Sequence, residues 1–174
     1  MKEDMLMESG KLSVAQAKLK MTIWNAEAES TSSSDFYLLL QEMGLPEEVV
    51  TRLHQLIGTT IKVGKKAVSI GKVVLTKIIE FVKAHPFLVT SVGISAVVAS
   101  AIYSLIVSIP FLGQLLEPVA RALGIGIVVT GAVVGHTLDK KFAGVGQNIV
   151  EVASEFFKLL IDVFSAVSYE VAFT

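Results

Sequence analysis

From Phe87 to Ile109 the chain runs 23 residues, FLVTSVGISAVVASAIYSLIVSI, without a charge. As a helix this stretch is about 35 Å long, against a hydrocarbon core of about 30 Å. Such a segment has two destinations, a bilayer or the middle of a protein able to surround it. A second uncharged stretch, Ala122 to Leu138, follows after PFLGQLLEP, where Pro110 and Pro118 punctuate the chain and Glu117 is the only charge. Val119 and Ala120 extend its apolar part past Arg121, whose stem can snorkel to the interface. So short a connection makes an antiparallel hairpin. The sequence therefore predicts an all-α integral membrane protein built on a two-helix transmembrane hairpin over residues 86–139. The competing reading is the buried hairpin of a helical bundle, as in the stored form of pore-forming toxins.

Charge is sorted along the chain. Residues 59–83 carry a surplus of +5 and residues 84–142 one of +1, whereas residues 1–58 carry −4 and residues 143–174 carry −3, which leaves a net charge of −1. That balance excludes the basic surplus of a general nucleic-acid binder, so no nucleic-acid partner is expected. Lys62 to Lys83 precede the first stretch, and Lys140 and Lys141 follow the second. By the positive-inside rule both termini of this multi-pass membrane protein face the cytoplasm, or the stromal equivalent of an organelle. The opening residues, MKEDMLMESGKL, place acids where a signal peptide needs a basic start and an apolar run, so a cleaved signal is not expected. The absence of cysteine excludes a disulfide framework, a thiol nucleophile and a Cys-based zinc site.

Placed at 100° per residue, Lys62, Lys65, Lys66, Lys72, Lys77 and Lys83 fall within an arc of about 140°, with Val, Ile, Leu and Phe opposite. This pattern predicts one Lys-rich amphipathic helix over residues 59–85, lying in the headgroup plane of an anionic bilayer with those six lysines as its lipid-binding face. A basic face that is merely solvated is the alternative. Residues 140–174 read as a second amphipathic helix with an acidic stripe. Glu151, Glu155 and Asp162 would pair with the Lys-rich helix of the same or a neighbouring subunit, or else form an ordinary solvated face.

Upstream, residues 1–34 read as a short helix and a Ser-rich linker from Glu27 to Ser34. Residues 35–58 read as a small helical hairpin with Asp35 and Pro46 as start signals and Gly44 and Gly58 as stops. Its apolar set is too small for a core of its own, so it should dock elsewhere on the chain or on a protein partner.

Chemistry is not legible. His54, His85 and His136 lack metal-ligand spacing, GTTIKVGKK fails the phosphate-loop pattern, and no serine sits in a nucleophile elbow. The expectation is a protein that is not an enzyme and has no catalytic residues, cofactor or metal. Small residues are the remaining signal. Gly124, Gly131 and Gly135 lie along one face of the second stretch, and Ser100, Ser104 and Ser108 form a line on the first. Both faces suit close helix packing within the hairpin and between copies in a homo-oligomer. The serine line also suits the wall of a pore.

The order of a basic helix, a span, the turn IPFLGQLLEPVARALGIG from Ile109, a second span and a further amphipathic helix resembles the curvature thylakoid proteins. It is similar too to the related CAAD domain of cyanobacterial aminoacyl-tRNA synthetases. The resemblance covers about residues 70–160 and rests on Ile109, Pro110, Leu115, Leu116, Glu117, Gly124 and Gly126. It implies a homo-oligomer that bends membranes by helix insertion. The leading expectation is thus bilayer shaping by the hairpin and the basic helix. The alternatives are a pore-forming or holin-like permeabiliser and an accessory subunit of a larger membrane complex.

Overall fold

The structure is a computed structural model in which residues 12–125 and 146–173 are described. Ser13 opens α1 (Val14–Glu29) with a capping box: its hydroxyl accepts the Gln16 N–H at 3.2 Å, and the Gln16 side chain accepts the Ser13 N–H at 3.0 Å. Ala17, Met21, Trp24 and Ala28 recur at helical spacing and are buried. Ser32, not Asp35, caps α2 (Ser33–Glu42), accepting the Asp35 N–H at 3.1 Å. The linker expected over Glu27–Ser34 therefore shrinks to the residues between Glu29 and Ser33. In α3 (Glu47–Gln55), Glu47 and Glu48 lie in the first turn and Arg52 and His54 in the last, as the helix dipole favours. His54 closes this hairpin on α2, with Nε2 3.2 Å from the Ser33 hydroxyl and its ring edge-on to Tyr37.

The single helix expected over residues 59–85 is corrected by a β-hairpin. After a 3-10 turn at Leu56–Gly58, β1 (Ile61–Val63) and β2 (Lys66–Val68) pair antiparallel in the register Ile61↔Val68, Lys62↔Ala67 and Val63↔Lys66. Ile61 and Val63 point inward and Lys62 outward, the period-two alternation of a half-buried strand. Gly64 supplies φ +63° at the first central position of the two-residue turn, the place a type II′ hairpin reserves for glycine. Among the described residues β3 (Val171–Phe173) completes the sheet on the other edge of β1, in the order β2-β1-β3. The helix, α4 (Ile70–Ala84), begins only at Ile70. Asn25 and Glu29 of α1 hold its entrance through the Ser69 N–H and hydroxyl.

The first apolar stretch is also corrected, because it is two helices. α5 (Pro86–Val92) and α6 (Ile94–Ser108) meet at 114° across Gly93. Among the described residues no single helix is long and apolar enough to cross a membrane, although α5 and α6 together would be. α6 takes the protein interior: Val97, Val98, Ala99, Ala101, Ile102 and Leu105 are fully buried, as a helix apolar on every side requires. The connection expected as a plain turn is a 3-10 turn, Pro110–Leu112, followed by α7 (Gly113–Ala122). α7 packs against α6 and against α3, so the 35–58 hairpin docks on this chain. The acidic C-terminal segment forms α8 (Gly146–Phe156), packed along α6, and α9 (Lys158–Val167), packed along α1. With α4 against α6 as well, the central helix is enclosed by α4, α5, α7 and α8.

Candidate functional site

The candidate is the bent apolar pair and the shell around it. α5 is the exposed half. None of its residues is buried, and Phe87 is 67% exposed, a large apolar side chain presented to solvent. α6 is the buried half. Gly93 between them adopts φ +93° and ψ +150°, a backbone conformation essentially confined to glycine. A Cβ there would meet nothing within 4 Å, so conformation rather than crowding reserves the position for glycine. A lone glycine inside an uninterrupted apolar run was the sequence signal for this joint, and reading the run as one helix passed over it.

The serine line faces the shell. Ser100 is buried and donates back to the Ala96 carbonyl at 2.9 Å, the self-satisfaction open to serine in a helix. Ser104 is buried against α8, its hydroxyl 3.1 Å from that of Ser154. Ser108 is half-buried at the end of α6. Around His85, at the α4–α5 corner, Phe81, Phe156 and Phe157 form an aromatic cluster with centroid separations of 4.7 to 5.8 Å. This cluster, and not charge, joins α8 to α4. Glu151 and Glu155 are exposed and Asp162 half-exposed, and none of them pairs with a described lysine.

The six lysines are divided between two elements. Lys62, Lys65 and Lys66 are exposed on the hairpin, Lys83 is exposed at the end of α4, and Lys72 and Lys77 are half-buried. Lys77 lies 4.9 Å over the Trp24 ring, a cation–π contact, and pairs with Glu80 at 3.4 Å. This part of the basic face is covered by α1 and is not free for lipid. Gly124, expected on a packing face, instead ends α7. At φ +80° it forms a Schellman cap, with the Ile125 N–H on the Ala120 carbonyl at 2.8 Å and its own N–H on Arg121 at 3.0 Å. Gly131 and Gly135 lie outside the described residues.

Lys18 and Glu170, which the sequence reading did not single out, join the ends of the chain at 2.8 Å, where the Gly64 N–H also reaches the Glu170 carbonyl at 3.1 Å. The Lys18 hydrogen bond outweighs the opposing effect of desolvation and, aided by the Lys18 charge and by Tyr169, holds the Glu170 carboxyl below its ordinary value. A carboxyl lowered in the folded state adds stability above its unfolded pKa and loses that contribution as pH falls through the folded one. Glu170→Gln should therefore flatten the acid limb of the urea-stability profile while leaving the neutral-to-alkaline shape unchanged, as a pH series of urea melts would record. No protein-family model, curated protein or solved structure matches this chain, so a functional reading starts from the geometry of the bent pair.

Proposed function

We propose that this chain is a membrane-inserting protein that stores its spanning segment inside a helical bundle and perturbs the bilayer mechanically when the segment is released. The observation carrying this reading is α6, uncharged and buried from Ala96 to Ile106 apart from the half-buried Tyr103, continuous with an apolar α5 that has no buried residue across a glycine-only joint. In the proposed transition α5 meets the membrane first, Gly93 returns to helical geometry, and residues 86–108 enter as one element of about 35 Å. The energetics permit it. The Val, Ile and Leu side chains of α6 exchange one apolar surrounding for another, so the hydrophobic term nearly cancels and mainly packing is lost. Ser100 carries its hydrogen bond with it, and Ser104 can turn to its own helix once Ser154 is gone.

Permeabilisation by assembled copies is the action favoured. The basic wedge helix on which shaping depended is interrupted by a hairpin, and the i, i+4 spacing of Gly131 and Gly135 in the sequence supports self-association. Shaping keeps one support, because α5 beside Lys83 could lie in one leaflet without α6 leaving the bundle. Dye-loaded anionic vesicles separate the two: leakage follows insertion of α6, and tubulation with retained dye follows α5 alone.

Gly93→Ala tests the joint. Alanine in the bent form incurs a strain of about 1–3 kcal/mol. In the straightened helix it is better than glycine by about 1 kcal/mol. The variant should therefore be less stable in urea and more of it should resist carbonate extraction from vesicles. An unchanged carbonate-resistant fraction despite the lower stability would count against Gly93 as the opening joint.

A further inference from the structure

A second feature lies away from the bent pair. Between α1 and the β1–β2 turn the fold leaves a cleft of about 470 Å³, within the usual size range of small-molecule sites. Met21, Val63 and Val68 form its apolar lining, each almost wholly buried, and Met21 adds the adaptability of an unbranched thioether. Lys18, Lys65 and Lys66 stand around it with Glu170 as the one acid. Glu170 is committed to Lys18, whereas the side chains of Lys65 and Lys66 make no ion pair among the described residues. Adjacent like charges destabilise each other unless an anion or solvent screens them. The Gly64 turn fixes both lysines on the hairpin tip, so these two free cations are kept beside an apolar hollow by the backbone itself.

We propose that this cleft binds a single-chain anionic amphiphile, its phosphate or carboxylate head held by Lys65 and Lys66 and its chain laid on Met21, Val63 and Val68. Charge-assisted hydrogen bonds orient the head, and the hollow admits an alkyl segment rather than a folded partner. The site stands apart from the α5–α6 segment and does not require insertion. Its ligand is either a free amphiphile or a lipid drawn from a bilayer, since both present the same head and chain.

Calorimetric titration of the full chain without vesicles tests this with three probes: decyl phosphate below its micellar concentration, decanol, and inorganic phosphate. Decyl phosphate should bind, and decanol and inorganic phosphate should each bind at least about tenfold more weakly, since each lacks one half of the recognition. Lys65→Ala with Lys66→Ala, both exposed and therefore tolerated by the fold, should weaken decyl phosphate by about tenfold or more. Competition by phosphatidylglycerol vesicles, absent with phosphatidylcholine vesicles, would assign the head to a bilayer lipid. Lack of competition would assign it to a free amphiphile, and either result keeps the site. Decanol binding as tightly as decyl phosphate, no binding of decyl phosphate at all, or an unchanged affinity in the double variant would overturn it. Each of these results is independent of vesicle leakage, so loss of this site would leave the insertion reading intact.

Discussion

Replacing Gly71 by alanine is expected to destabilise the protein by about 3 kcal/mol or more, a large fraction of the roughly 5–15 kcal/mol that holds a typical domain together. Gly71 lies in the first turn of α4, where that helix crosses the 3-10 turn at Leu56–Gly58. A Cβ would stand 1.5 Å from the Leu56 carbonyl oxygen and 2.5 Å from its carbon. Both are backbone atoms, so no rotamer change relieves the overlap. The crossing would have to open, and with it the hydrogen bond from the Gly71 N–H to the Thr59 carbonyl at 3.1 Å. Alanine's better helix propensity, about 1 kcal/mol, offsets only part of this. The midpoint of thermal unfolding should fall by about 10 °C. Gly58→Ala is the control: a Cβ there meets nothing within 4 Å, so the change should be within about 1 kcal/mol of neutral. Because α4 is one wall around α6, Gly71→Ala should also leak vesicles faster than the parent, whereas Gly58→Ala should not.

Much of the helical fold was legible from local signals. The start of α3 behind Pro46, the stop at Gly44 and the docking of a small hairpin all followed from capping and from an apolar set too small to stand alone. The hairpin at residues 61–68 was misread because lysine spacing suited a helical arc as well as an alternating strand. The deciding residues were Gly64, poor in a helix interior and apt at a type II′ turn, and the Ile61–Lys62–Val63 alternation. The third strand was beyond local reading, since β3 forms only by pairing with β1 from the far end of the chain.

The site was legible in composition and not in conformation. Twenty-three uncharged residues identify a segment suited to an apolar surrounding, yet hydropathy is the same for a helix held in lipid and for one held in protein. What distinguished them was the supply of walls: α4, α7 and α8 carry enough apolar surface to enclose α6, a property of four segments together. Gly71 was invisible for a similar reason, because a close crossing of two backbones leaves no periodic trace. Among the described residues Glu151, Glu155 and Asp162 form no pair with the lysines: aromatic rings of Phe81 and Phe156 meet between α4 and α8, and Asp162 lies on α9, which packs along α1 and not along α4.

In the proposed action α6 leaves the bundle at the bilayer, and Ser104 and Ser154 offer a reversible way to forbid it. Their hydroxyl oxygens are 3.1 Å apart across the α6–α8 contact, near enough for sulfurs at the same positions to bond. The chain has no cysteine, so Ser104→Cys with Ser154→Cys introduces its only thiols. A cross-link between positions 104 and 154 would also constrain the unfolded chain and stabilise the stored form by about 3–5 kcal/mol. Dye release from anionic vesicles by the double variant, oxidised and then treated with dithiothreitol, is the direct measurement. The oxidised protein should release almost no dye, and reduction on the vesicle should restore release to the level of the parent chain. Equal release before and after reduction, with the cross-link shown to be intact beforehand, would mean that α6 stays where it is and that the bilayer is perturbed by another part of the molecule.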